Sequence, residues 1–280
     1  MNIKYYKYHA LLNDFIIIED VRISLSRSKL SRLAQEMCNR RSGVGADGIL
    51  YLTAEGTCDR QIGIINADGS WAEKSGNGLR IVTLHQFLKD RRRRRFSFLM
   101  NGQPHKATVL KAVSNSALVR TELGCPRFEA SSVPVKTRHK YMINAPLKLG
   151  GLEFPVTCLS MGNPHTVLLV DDFDFDWKQF GIEIECHRAF PNDTNVEFVK
   201  VKNRGKIQIA DWERGAGATG SSGTGAAAAV CACVMMGLVN RECEVVFEKG
   251  SLFIHWDEIS NIIELTGPVD YVTQGEFVLK

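Results

Sequence analysis

Ser75-Gly76-Asn77-Gly78 opens one apolar run, and Ser222-Gly223-Thr224-Gly225 opens another in the second half of the chain. The first continues through Leu79, Ile81, Val82, Leu84, Phe87 and Leu88. The second runs from Ala226 to Met236 and is predicted to be capped near Gly237. Both read as helices. The second is apolar on every side, which marks a helix buried all round. Two matching starts imply a pseudo-repeat, and the fold class predicted is α+β. It has two similar domains, each a curved, mostly antiparallel sheet or barrel wrapped on a central helix. The boundary is placed near Cys125-Pro126. Residues 1–123 together with 268–280 form the first domain, the last strand returning to it, and residues 124–267 form the second.

The intervening sequence reads mostly as short strands. Phe15–Ile18, Ile62–Ile65, Thr166–Val170 and Val196–Val199 are β-branched or aromatic-rich and bounded by Asp, Asn or Gly. One further helix is predicted over about Ser28–Arg40, with Leu30, Leu33, Ala34 and Met37 on one face.

Composition narrows the function. The 280 residues are 44% hydrophobic and 24% charged, ordinary for a globular protein with a full core. A net charge of +4 is too weak to imply a nucleic-acid partner. The run Arg91–Arg95 is read as a solvated connection at a helix C-terminus, where the dipole favours cations. Eight cysteines show neither paired C-x-x-C nor metal-finger spacing, so no metal is expected, and Cys231 and Cys233 read as small core residues. No apolar run is long enough to cross a bilayer, and Met1–Tyr6 does not resemble a secretory leader, so a cytoplasmic protein without a membrane partner is expected.

The chemistry-bearing residues gather around the two helix starts. A helix start presents unpaired N–H groups and the positive end of a dipole, and glycines let a ligand approach that backbone. Phosphate or carboxylate binds there. One S-G-x-G start alone is explained by serine as N-cap; two in opposed halves point to a shared anion pocket. Asn66-Ala67-Asp68-Gly69 reads as a turn, and Met161-Gly162-Asn163-Pro164-His165 sets a histidine just after a constrained turn. Glu213 and Arg214 lead into the second start, where the guanidinium either grips a carboxylate or forms an exposed ion pair. Asn13 and Asn195 sit beside strands, where a turn role also serves.

In order along the chain, His9–Phe15, Gly43–Gly48, Asn66–Ser70, Ser75–Gly78, Met161–His165, Thr194-Asn195 and Glu213–Gly217 resemble the motif blocks of diaminopimelate epimerases. The resemblance implies a small amino-acid substrate held between the domains, no cofactor, and a homodimer. In that family two cysteines, one from each domain, work from opposite sides of the substrate α-carbon, one taking the α-proton as thiolate and the other returning a proton. The resemblance further implies that backbone at Gly76, Asn77, Gly223 and Thr224 holds the α-carboxylate. Asn66, Asn163, Asn195, Glu213 and Arg214 match positions that hold the amino groups and distal carboxylate, and Asn13 matches a further polar position. His165 and Glu213 match the groups that help deprotonate the two cysteines.

Ser75 and Ser222 stand where that family has its cysteines. A hydroxyl is far less acidic than a thiol and needs an adjacent base. The candidate catalytic residues are therefore Ser75 with His165 and Ser222 with Glu213. Other departures are Lys74 before Ser75, Ala218 where the family often has Glu or Tyr, and Ala10 and Leu12 in place of glycines. Three readings follow: a cofactor-independent amino-acid epimerase or racemase, a one-base isomerase or lyase on the same fold, and a non-catalytic amino-acid-binding homologue.

Overall fold

Both predicted helices begin at their serines. The computed structural model describes residues 2–19, 25–54 and 56–278, and its backbone divides into two units, Met1–Glu122 with Thr266–Lys280, and Leu123–Leu265.

The first unit contains β1 (Asn2–Ala10), β2 (Asn13–Glu19), α1 (Arg27–Cys38), β3 (Gly48–Thr53), β4 (Arg60–Asn66), β5 (Trp71–Ala72), α2 (Gly76–Lys89), β6 (Arg95–Met100), β7 (Gln103–Val113) and β8 (Ser116–Gly124). The second contains β9 (Ala145–Leu149), β10 (Leu152–Ser160), β11 (Pro164–Leu169), α3 (Trp177–Glu185), β12 (Asn195–Asn203), β13 (Lys206–Trp212), α4 (Gly223–Met235), β14 (Glu242–Phe247) and β15 (Gly250–Trp256). The last strand, β16 (Ile263–Val278), starts in the second unit and ends in the first.

The two units share one internal plan. In the first, β1 pairs antiparallel with β2, β2 parallel with β3, β3 antiparallel with β4, β4 parallel with β6, and β6 antiparallel with β7. In the second, β10 through β15 repeat that alternation. Each parallel step needs a crossover, and helices supply it at the same places. α1 and α3 join the first parallel pair of their units; α2 and α4 join the second. Pairing of β1 with β16 closes the first unit's sheet around α2. This is the α+β, helix-in-barrel class expected from the paired starts.

α4 is apolar all round, and α2 is buried along most of its length together with its polar Arg80, Thr83 and His85. Leu79, Ile81, Val82, Leu84 and Phe87 of α2 pack with Tyr8, Phe15, Ile17, Leu50 and Phe98 of the surrounding strands. α4 is buried from Ala226 to Cys233 and touches β10 through β15. It ends as expected at Gly237, which has φ +75°. The Gly237 N–H reaches Val234 O and the Leu238 N–H reaches Cys233 O, satisfying the last carbonyls.

Two local readings are refined. α1 starts one residue earlier than predicted and stops at Cys38, because the Asn39 side chain accepts the N–H groups of Arg41 and Ser42 and turns the chain away. The arginine run is a connection, as read from sequence, and its arginines are exposed. Arg92 pairs with Asp90, Arg93 with Asp59, and Arg95 opens β6. Among the described residues no helix is long and apolar enough to cross a membrane.

The β1–β2 hairpin carries strain. Ala10 pairs with Asn13, leaving Leu11 and Leu12 as the turn, with φ +50° and +65°. Such a turn favours Asn or Gly, and Leu12 is 60% exposed, so its side chain gains little from packing. Leu12→Gly should therefore raise stability by about 0.5–1 kcal/mol, the relief of left-handed strain less the entropy of glycine. Urea unfolding measures this; an unchanged or lower midpoint would show the turn to be unstrained.

Candidate active site

Each unit builds a half-site from a helix start. In the first unit Ser75 is the N-cap of α2, with extended backbone (φ −145°), and its Oγ accepts the Gly78 N–H at 2.9 Å. In the second Ser222 caps α4 at φ −122° and accepts the Gly225 N–H at 3.2 Å. Both serines are thus helix caps, and the following turn must be glycine for a shared reason. A Cβ on Gly78 would come within 3.2 Å of Ser75 Oγ and 2.9 Å of Leu50. One on Gly225 would come within 3.1 Å of Ser222 Oγ and 2.9 Å of the Glu197 carboxyl. Gly76 and Asn77, and Gly223 and Thr224, form the first turns, where N–H groups lack helical partners.

The first half-site is held by a polarised chain of side chains. Arg40 bridges Asp14 and Asp47 (2.7 and 2.8 Å). Asp47 accepts from Asn13 Nδ2 (2.8 Å), Asn13 Oδ1 accepts from Asn77 Nδ2 (2.9 Å), and Asn77 Oδ1 accepts from Arg80 at 2.5 Å. A carboxylate only accepts and a guanidinium only donates, so both amide orientations are set. Arg80 is wholly buried and its Nε has no hydrogen-bond partner; loss of water pulls its pKa down to about 9. Asn66, at the end of β4, donates to Ser70 Oγ at 2.9 Å within the predicted turn. Burial alone lowers the pKa of Lys74.

The second half-site is rich in buried acids. Glu213 follows β13, and its carboxyl accepts from the Thr219 hydroxyl, with the Ser222 hydroxyl near enough to bear on its pKa. Burial raises its pKa to about 7, reinforced by nearby Asp211. The loop is fixed by a two-way backbone bond between Glu213 and Gly217 (2.8 Å each way), and by Glu185, which accepts from Trp212 Nε1 and Gly215 N. His165 is buried; its Nδ1 lies 2.7 Å from Glu197 and its Nε2 3.0 Å from Asn163 Oδ1. Asn163 Nδ2 contacts Thr224 Oγ1 at 3.4 Å. Asn195 is used structurally: it donates to Pro164 O at 2.7 Å and accepts the Arg214 N–H at 3.0 Å. The Arg214 guanidinium is exposed and donates to Asn192 O at 2.9 Å.

Sequence reading joined Glu213 to Ser222, and the structure brings them together. It did not single out Arg80, Glu197, Asp211 or Thr219. A signal was present: Ile207, Ile209 and Asp211 share the inward phase of β13, so an acid continues an apolar row. Burial pushes the thiols of Cys158 and Cys233 up to about 12.

The fold defines a class of two-unit α+β proteins, and comparison places the chain in a family within it. The profile of the family described as diaminopimelate epimerase matches residues 5–128 and 157–272. The chain is 36% identical to the diaminopimelate epimerase of Carboxydothermus hydrogenoformans, over 99% of this chain and 100% of that protein. It is 37% identical to that of Pelotomaculum thermopropionicum, over 97% of each. Its fold matches a hydroxyproline epimerase of Agrobacterium vitis, solved with bound trans-4-hydroxy-L-proline, at TM-score 0.69 and 10% identity, over 99% of this chain and 91% of that one. The chain belongs to the diaminopimelate epimerase family and is an isomerase.

The raised pKa of Glu213 makes a stability prediction. In the unfolded chain it titrates near 4.5, in the folded chain near 7. Burial disfavours the anion, so the stabilisation is full below pH 4.5 and is lost as pH rises to about 7, up to about 3 kcal/mol. Glu213→Gln should remove that part of the decline, while Asp211 and Glu197 keep a residue of it. Urea midpoints across this range test the assignment, and equal slopes in both proteins would refute it.

Proposed function

We propose that this isomerase inverts the α-carbon of a diaminopimelate-like amino acid by cofactor-independent proton transfer, with serines as the groups that meet the α-proton. The observation that carries this is the nearness of Glu213 and Ser222 at the start of α4: a buried carboxyl whose pKa is raised to about 7 lies beside the hydroxyl that matches a family cysteine position. A general base is most effective when its pKa is near the working pH. With Glu213 taking its proton, Ser222 becomes a competent base despite its low intrinsic acidity. The N–H groups of the first turns, at Gly76 and Asn77 and at Gly223 and Thr224, suit the substrate carboxylate and the charge that develops on it when the α-proton leaves. Asn66, Asn163 and Arg214 are the further polar residues assigned to the substrate, Asn13 and Asn195 are assigned to support of the two helix starts and their loops, and His165 is assigned to Ser75.

A one-base isomerisation is the second reading, and the asymmetry of the half-sites favours it. Both serine oxygens accept a first-turn N–H, and Ser222 has in addition a buried carboxyl of raised pKa, Glu213, beside it in its own unit.

The deciding experiment follows α-proton exchange in D₂O by NMR with LL- and meso-diaminopimelate. Exchange with inversion is expected. Ser222→Ala and Glu213→Gln should each slow it about 100-fold or more, the usual contribution of a positioned acid or base. Exchange without inversion would select the one-base reading, and tight binding with no exchange at high enzyme concentration would reject both. The double variant Ser75→Cys with Ser222→Cys should exchange faster than wild type, since a thiol titrates near about 8.5; a slower double variant would show that the serines are matched to this site.

A further inference from the structure

Thr219 lies in the loop between Glu213 and α4, and its hydroxyl meets two carboxyls. Oγ1 is 2.7 Å from Asp211 Oδ2 and is also hydrogen-bonded to Glu213 Oε1. A hydroxyl has one proton. If it donates to one carboxyl it must accept from the other, and an ionised carboxylate has nothing to donate. Both contacts are made only when one of the two carboxyls is protonated.

The surroundings demand the same economy of charge. Asp211 is 2% exposed, and its second oxygen has no hydrogen-bond partner. It stands directly across the β12–β13 ladder from Glu197, itself 1% exposed with one unpartnered oxygen. Like charges facing each other in a ladder repel, and unpaired buried anions are costly. The titratable or charged groups facing the cluster are few. His165 on β11 contacts Glu197, and Lys249, in the turn between β14 and β15, directs its ammonium to the Thr219 carbonyl at 2.5 Å. Burial raises the pKa of Asp211, Glu197 and Glu213 alike.

We infer that Asp211 and Glu213 share one proton through the Thr219 hydroxyl, and that this lets Glu213 serve Ser222 either as base or as acid. The inference rests on the proposed epimerase reading for its use, though the proton sharing itself does not. In one state Asp211 is the acid: its O–H donates to Thr219 Oγ1, and the Thr219 O–H donates to the Glu213 carboxylate. In the other, Glu213 donates to Thr219 and Thr219 to Asp211. Two protons each move across one hydrogen bond, and the net charge is unchanged. From the first state Glu213 takes the Ser222 proton as Ser222 takes the substrate's, and the pair goes from one proton to two. From the second, Ser222 gives its proton to the substrate and is refilled by Glu213, and the pair goes from one to none. Exchange with water after release restores the resting pair. An enzyme that runs in both directions needs both forms at one pH. Asp211 and Thr219 are positioning residues, acting through Glu213.

The test uses Asp211→Asn, Thr219→Val and Thr219→Ser, all close in size to the originals. The first readout needs no activity. The infrared difference spectrum of wild type minus Asp211→Asn, at neutral pH, should contain a protonated-carboxyl band that shifts in D₂O, because an Asn donor leaves Glu213 ionised. The second is the pH profile of α-proton exchange. Asp211→Asn removes a neighbouring negative charge and should move the acid limb down by about one pH unit, with an approximately tenfold loss at neutrality. Thr219→Val removes a donor to Glu213 and should move it up by a similar amount. Thr219→Ser should return it to the wild-type position. A difference spectrum without that band overturns the sharing, and profiles that shift in the same direction or not at all in an active enzyme overturn the role. Wild type without exchange but with the band would reject the epimerase reading and leave the shared proton standing.

Discussion

The first turn of a helix that begins inside a sheet has N–H groups that must find partners where water is scarce. Much of this protein answers that constraint. Ser75 and Ser222 each satisfy one such group, and Gly78 and Gly225 exist so that the serine can reach it. The N–H groups left over are the feature to which we assign anion binding. The same residue that closes the helix therefore stands beside the place where a carboxylate would dock. The serine proposed to be functional is also the structural cap.

The two half-sites meet the constraint with different chemistry. In the first, charge is fixed: Arg40, Asp47, Asn13, Asn77 and Arg80 form a directional chain with settled orientations. In the second, charge is adjustable, since Glu197, Asp211 and Glu213 are buried acids with raised pKa values close to one helix start. A hydroxyl needs a stronger base than a thiol does, and burial is how a carboxylate becomes one. In the proposed function, serine at the family's cysteine position and buried acids on β12 and β13 belong together.

Much of the fold was legible in the chain. The paired S-G-x-G starts are local motifs, apolar runs behind them specify buried helices, and Gly237 can adopt the cap conformation at no steric cost. These depend on residues within a few positions of one another. The link from Glu213 to Ser222 was legible by resemblance, because the motif blocks keep their order.

Tertiary structure alone decided the rest. Glu197 and Asp211 become a facing pair only through the register of β12 against β13, and Thr219 joins Asp211 to Glu213 only because the loop folds back over the strand it left. Arg80 becomes a buried cation only when the barrel closes around α2. The sequence determined which segments would be helices, where they would be capped and which residues could carry a proton. Their protonation was decided by burial and by partners distant in sequence, because a pKa is set by the surrounding dielectric and charges and not by the residue alone.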